Sequence, residues 1–161
     1  MRWGSTRALT AGERALAAAV FGQALKTDTV RVLASPLPWL DRPFVPGRVG
    51  GREWLVYPAG AALLDFASAS LGRQAVFVHE LVHAWQAQRG VLLPLAKLRA
   101  GDSPASYAYE LGGRPFAALN IEQQAMAVEH AFRLSRGGQA PYPAETYAAA
   151  LPFSDGGATN V

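Results

Sequence analysis

Apolar residues recur along this chain in two rhythms, and the switches between them divide it into elements. Residues 11–25 follow the helical rhythm, opened by Thr10-Ala11-Gly12-Glu13, whose T-x-x-E form is a capping box. Residues 29–33 (TVRVL) alternate apolar and polar, as a half-buried strand does. Pro36, Pro38, Pro43 and Pro46 then exclude both a helix and a central strand. Gly50-Gly51 reads as a turn, residues 53–57 (EWLVY) as a second strand, and residues 58–65 as a loop. Residues 71–89 predict a long helix, stopped by Gly90 where a glycine suits a helix end. Its middle, AVFVHELVHAW, is apolar nearly all round, so this helix should be buried.

Beyond it, residues 94–104 read as irregular and residues 107–111 (YAYEL) as extended, before a break at Gly112, Gly113 and Pro115. Asn120, with Gln123 three residues on, predicts the N-cap of a helix running to about Arg136, where Gly137-Gly138 stops it. A short helix over residues 144–150 and a polar tail, SDGGATNV, complete the chain. One helix, two or three strands, a buried helix, a loop and another helix make an α+β fold. At 161 residues it is a single domain spanning 1–161, with about 1–9 and 152–161 expected to be flexible.

Composition removes several classes of function. Half of the residues are apolar, which supplies a core, but no apolar run approaches the roughly 20 residues of a membrane span. A soluble domain is expected. Fifteen basic against twelve acidic residues give +3, yet the basic residues stand singly and mark no nucleic-acid groove. Arg2, Arg7 and the apolar residues 15–21 loosely imitate a signal peptide, but Glu13 and Arg14 interrupt them and no cleavage site follows. With no cysteine, disulfides and thiolate metal sites are excluded, and any metal must be held by nitrogen and oxygen.

The segment that carries chemistry is His79-Glu80-Leu81-Val82-His83. Four residues apart on a helix, the two imidazoles share a face and can reach one Zn2+, with Zn–N about 2.0–2.1 Å. Glu80 follows the first histidine, where its carboxylate can act on water without binding the metal; this is the H-E-x-x-H arrangement of zinc metallopeptidases. Two histidines and a glutamate in an apolar helix need partners, since each unpaired polar group there costs about 1–3 kcal/mol. A catalytic zinc takes three protein ligands and a water. Glu122, in the first turn of the helix after Asn120, is the best third ligand, ahead of Glu129 and His130. The small Ala125 one turn on lets that helix approach the histidine helix, and Glu129 lies on nearly the same face, placed to orient a ligand. Tyr107 and Tyr109 would point the same way if extended, and a phenol there could stabilise an oxyanion. Tyr109 is assigned that role, with core packing the plain alternative. Asp65 could hydrogen-bond a ligand imidazole or simply cap a turn.

With these residues in view, the sequence resembles a zincin-type metallopeptidase of the gluzincin kind, whose pattern matches His79, His83 and Glu122 as ligands and Glu80 as general base. More narrowly, LTAGERALAAAVFG, Asp65-Phe66, HELVHAWQ, YAYEL and NIEQQA together resemble a bacterial family of Vgr-related, type VI secretion-associated metallopeptidases. The likeness runs from about residue 9 to residue 133. It implies a zincin-like fold with a small sheet, zinc-dependent hydrolysis of a peptide or protein substrate, and a secretion-apparatus protein as partner. It also implies a cytoplasmic chain, or export by a system that needs no signal peptide. Met126 departs from the gluzincin pattern, which has a polar residue there, so support for the ligands must come from elsewhere. Residues 53–57 are expected to line the cleft as an edge for an extended peptide. The competing readings are a metal-stabilised interaction module and an effector or adaptor without peptidase activity; a fourth protein ligand would favour them.

Overall fold

The computed structural model describes residues 1–101, 103–113 and 115–153. Four strands form one sheet in the order β1-β2-β4-β3: β1 (Thr6–Ala8), β2 (Val30–Ser35), β3 (Arg48–Val49) and β4 (Arg52–Pro58). β2 and β4 pair in parallel, Val32 opposite Leu55, while β1 and β3 flank them antiparallel. Val30, Val32 and Ala34 of β2 are fully buried, with Arg31 and Leu33 between them, as the alternation predicted. The helices are α1 (Ala11–Phe21), α2 (Leu71–Gln88), α3 (Leu93–Ala100), α4 (Pro104–Tyr107), α5 (Ile121–Ser135) and α6 (Ala144–Ala150). The fold is α+β, with α2 between the sheet and α5. Among the described residues no helix is long and apolar enough to cross a membrane.

α1 begins with the predicted capping box, Thr10 accepting from the Glu13 amide and Glu13 from the Thr10 amide. It stops four residues early, at Gly22, whose φ of 55° lies where only glycine is comfortable. Gly12 lets α1 come close to the chain ahead of α2, because a Cβ there would meet the Ala67 methyl at 2.9 Å. Glu13 is wholly buried at this junction. It takes both guanidinium nitrogens of Arg7 at 2.6 Å and the Phe66 amide at 2.9 Å. Strand β1, helix α1 and the approach to α2 are thereby joined through one carboxylate.

Residues 1–9 supply β1, and the Met1 ammonium donates to the Ala62 carbonyl at 3.0 Å. Three expectations are corrected. Residues 94–104 hold α3 and the start of α4, because Pro94 and Pro104 stand in first turns, where proline's missing N–H costs nothing. Residues 107–111 form no strand; Tyr107 closes α4 and the chain runs on as coil. Residues 53–57 are not an edge, since β2 covers one side and β3 with Phe44 covers the other, Phe44 and Val56 exchanging both backbone hydrogen bonds. Of the tail, Phe153 packs its ring on Phe21 and Trp85, while residues 154–161 and the expectation of flexibility there lie outside the described residues.

Candidate metal centre

α2 presents His79 and His83 one turn apart, their ring centroids 5.0 Å from each other. α5 packs along α2 more extensively than any other helix pair, with Ala125 fully buried. Its capping box at Asn120, closed by Gln123, fixes where the first turn begins and so where Glu122 points. Glu122 Oε2 stands 3.4 Å from His79 Nε2 and 3.4 Å from His83 Nε2. Donors bound to one zinc at about 2.0–2.1 Å and tetrahedral angles stand about 3.3 Å apart, so the three atoms fit such an ion. They form the one cluster of three metal-binding side chains among the described residues.

The other ring nitrogens settle which atoms are offered. His79 Nδ1 lies 3.1 Å from Glu129 Oε2, and a carboxylate only accepts, so Nδ1 donates and Nε2 is the nitrogen left to offer a metal once its proton is gone. Glu129 is itself held by Arg133, at 2.6 and 3.0 Å. His83 Nδ1 lies 2.8 Å from Gln86 Oε1. The Gln86 amide nitrogen donates to the Ile121 carbonyl and to Gln124 Oε1, so its oxygen must face the histidine and accept. Sequence reasoning missed Gln86, although a glutamine three residues beyond a histidine on a buried helix is a readable signal. Met126 gives no polar support, and Glu129 and Gln86 supply it instead.

Burial lowers the His79 pKa, but hydrogen bonds to Glu122 and Glu129 outweigh it and hold the group up to about 9 in the metal-free chain. Burial likewise raises Glu122, and its two histidine neighbours, then Lys97, drive it far below the usual carboxylate range. Glu80, almost fully buried, is pushed up by burial, against the pull of both histidines and Lys97. Its Oε2 has no hydrogen-bond partner among the described residues. That is an unsatisfied acceptor beside three convergent ligand atoms, and it can take a proton.

The cleft has a volume of about 190 Å³, and its walls include Arg42, Pro43, Val76, Lys97, Tyr107 and Met126. A larger apolar cavity, about 310 Å³ between α1, α5 and α6, brings no such cluster together. Tyr109 is not on the cleft wall. Its hydroxyl is 2.7 Å from both His130 Nδ1 and the Tyr147 hydroxyl, so the oxyanion role assigned to it is withdrawn. Tyr107 is the last residue of α4 and Tyr109 follows in coil, and Tyr107 is the one that lines the cleft. His130, occupied by Tyr109, is no ligand, and Glu129 faces the far nitrogen of His79. Asp65 accepts from the Thr10 hydroxyl at 2.7 Å, which lowers its pKa, and caps its own turn by accepting from the Ala67 amide at 3.3 Å.

No protein-family model matches the chain. Over 142 residues it is 34% identical to the type VI secretion system spike protein VgrG2b of Pseudomonas aeruginosa. The match takes in 78% of this chain and 13% of that protein, so the chain spans a small part of the relative's length. The solved effector domain of Pseudomonas aeruginosa VgrG2b superposes with a TM-score of 0.68 at 30% identity, over 90% of this chain and 81% of that domain. The chain belongs to the VgrG2b effector-domain family. The Vgr-related resemblance read from LTAGERALAAAVFG to NIEQQA thus has a solved relative, and the VgrG2b effector-domain fold is the α+β architecture described above.

Proposed function

We propose that this member of the VgrG2b effector-domain family is a zinc-dependent peptidase that works as a secretion-linked effector module. The observation that carries the reading is the equal 3.4 Å approach of Glu122 Oε2 to the two histidine Nε2 atoms, with the unpartnered Glu80 Oε2 in the same cleft. His79, His83 and Glu122 would hold the ion. Zinc supplies a Lewis acid that polarises a peptide carbonyl and makes water a nucleophile near neutral pH.

The chain's own residues do the rest. Glu80 accepts a proton from the attacking water at its free oxygen and returns it to the leaving amine nitrogen. Its raised pKa suits both halves of that transfer. Glu129 and Gln86 keep the two imidazoles in register, and Tyr107 is the phenol on the cleft wall, on the side from which an oxyanion would be steadied. An extended peptide entering the cleft meets Arg42 and Pro43 rather than β4. The substrate class is a peptide bond in an extended segment of protein or cell-wall peptide. A secretion-apparatus protein is the partner, and export needs no signal peptide.

The test is zinc content together with hydrolysis of a quenched peptide library. Purified chain should hold about one zinc and cleave; His79→Ala and His83→Ala should lose both properties. Full metal occupancy in the double variant would refute the site. Zinc without cleavage of any peptide would leave the second reading, an effector or adaptor without peptidase activity, which the relative's place in a spike protein favours.

A further inference from the structure

We propose that Lys97 makes Glu122 a one-oxygen ligand and thereby keeps a position on the metal open. The inference rests on the reading of His79, His83 and Glu122 as metal ligands. It starts from the two oxygens of Glu122, which the structure treats differently. Oε2 faces both histidines, whereas Oε1 lies 3.2 Å from the Lys97 ammonium, an ion-pair contact, and takes no hydrogen bond from any described group. Glu122 itself is 1% exposed. A carboxylate next to a divalent cation can swing to bind through both oxygens, which fills a coordination position. A positive charge holding the distal oxygen opposes that swing, and four-coordinate zinc with one site for water is what hydrolysis requires.

The fold gives Lys97 this place. α3 begins just after α2 ends and packs against α5, and Lys97 lines the cleft beside Glu122. Lys97 remains 42% exposed, so its head group is held by the carboxylate rather than by packing. It is one of two lysines in a chain with thirteen arginines. Lys97 is a positioning residue, acting through Glu122.

Cobalt(II) in place of zinc reads the coordination number directly, because its visible bands are intense in four-coordinate sites and weak in five- or six-coordinate ones. The full chain, Lys97→Met and Lys97→Arg are loaded with cobalt, and stoichiometry and band intensity are recorded. The wild type should take up one equivalent with intense bands. Lys97→Met should take up one equivalent with bands weakened several-fold, and Lys97→Arg should restore most of the intensity. Identical spectra for wild type and Lys97→Met would overturn the proposal and leave the metal site standing. Weak bands in Lys97→Arg as well would overturn it too, because the charge would then not be what matters. A wild type that takes up no cobalt, or a His79→Ala variant that keeps it, would remove the metal reading and this inference together.

Discussion

At the scale of single residues, protons would compete with the proposed metal for the same lone pairs. In the metal-free chain His79 is held up to about 9, above its ordinary 6.5, because Glu122 and Glu129 outweigh its burial. A group raised in the folded state stabilises fully below its unfolded value, and that contribution fades as pH climbs through the folded one. The metal-free chain should therefore lose thermal stability between about pH 6.5 and 9, and His79→Gln should flatten the profile. Melting curves across that range in chelator test it; a wild type as flat as the variant would mean that His79 carries no proton there. Glu80→Gln should leave zinc content unchanged and lower peptide hydrolysis by about 10²–10⁴-fold, the usual contribution of a positioned base. Loss of zinc in Glu80→Gln, with full affinity in Glu122→Ala, would exchange the two assignments.

At the scale of elements, what could be read in the sequence was set by how local the signal is. A spacing of four on an apolar helix makes His79, Glu80 and His83 visible without any knowledge of the partner helix, and the cap at Asn120 defines the turn that carries Glu122. The register of one tyrosine against another was not legible, because it depends on a four-residue helix that Ser103 and Pro104 start. Prolines read as breakers were in fact helix openers in α3 and α4, and the three-residue β1 is too short for its alternation to show. The position of β4 inside the sheet was hidden for a different reason: its covering partner, Phe44, lies in the proline-rich stretch and forms only a bridge. Gln86 joins the two ligand helices as well as orienting His83. Gln86→Leu should therefore lower zinc affinity by about 10–100-fold, as loss of an outer partner does. A chelator-competition titration that finds wild-type affinity would show that the α2–α5 packing alone positions His83.

At the scale of the whole molecule, the N-terminal third is secured by Glu13 rather than by apolar packing alone. Its carboxylate is 0% exposed and holds Arg7, the Thr10 amide and the Phe66 amide, so truncation leaves a part-buried cation with only the Leu63 and Ala8 carbonyls, and two amides without partners. Glu13→Ala should destabilise the fold by about 3–5 kcal/mol, the usual result of breaking one side of a buried pair. Denaturant unfolding measures this, and a change under 1 kcal/mol would show that Arg7 finds water or another acceptor.

The 38 residues between His83 and Glu122 give the centre a history as well as a shape. An unfolded chain can offer a metal the two histidines of one helical turn, but the third donor arrives only when α5 docks on α2, across a loop whose closure is entropically costly. Tight zinc uptake must then come after that docking. In stopped-flow refolding with a zinc-sensitive dye, helix signal should recover first and dye displacement should trail it. A chain that crosses a barrier unfolded would reach the far side empty and acquire its ion there, so its activity would be timed by its own folding.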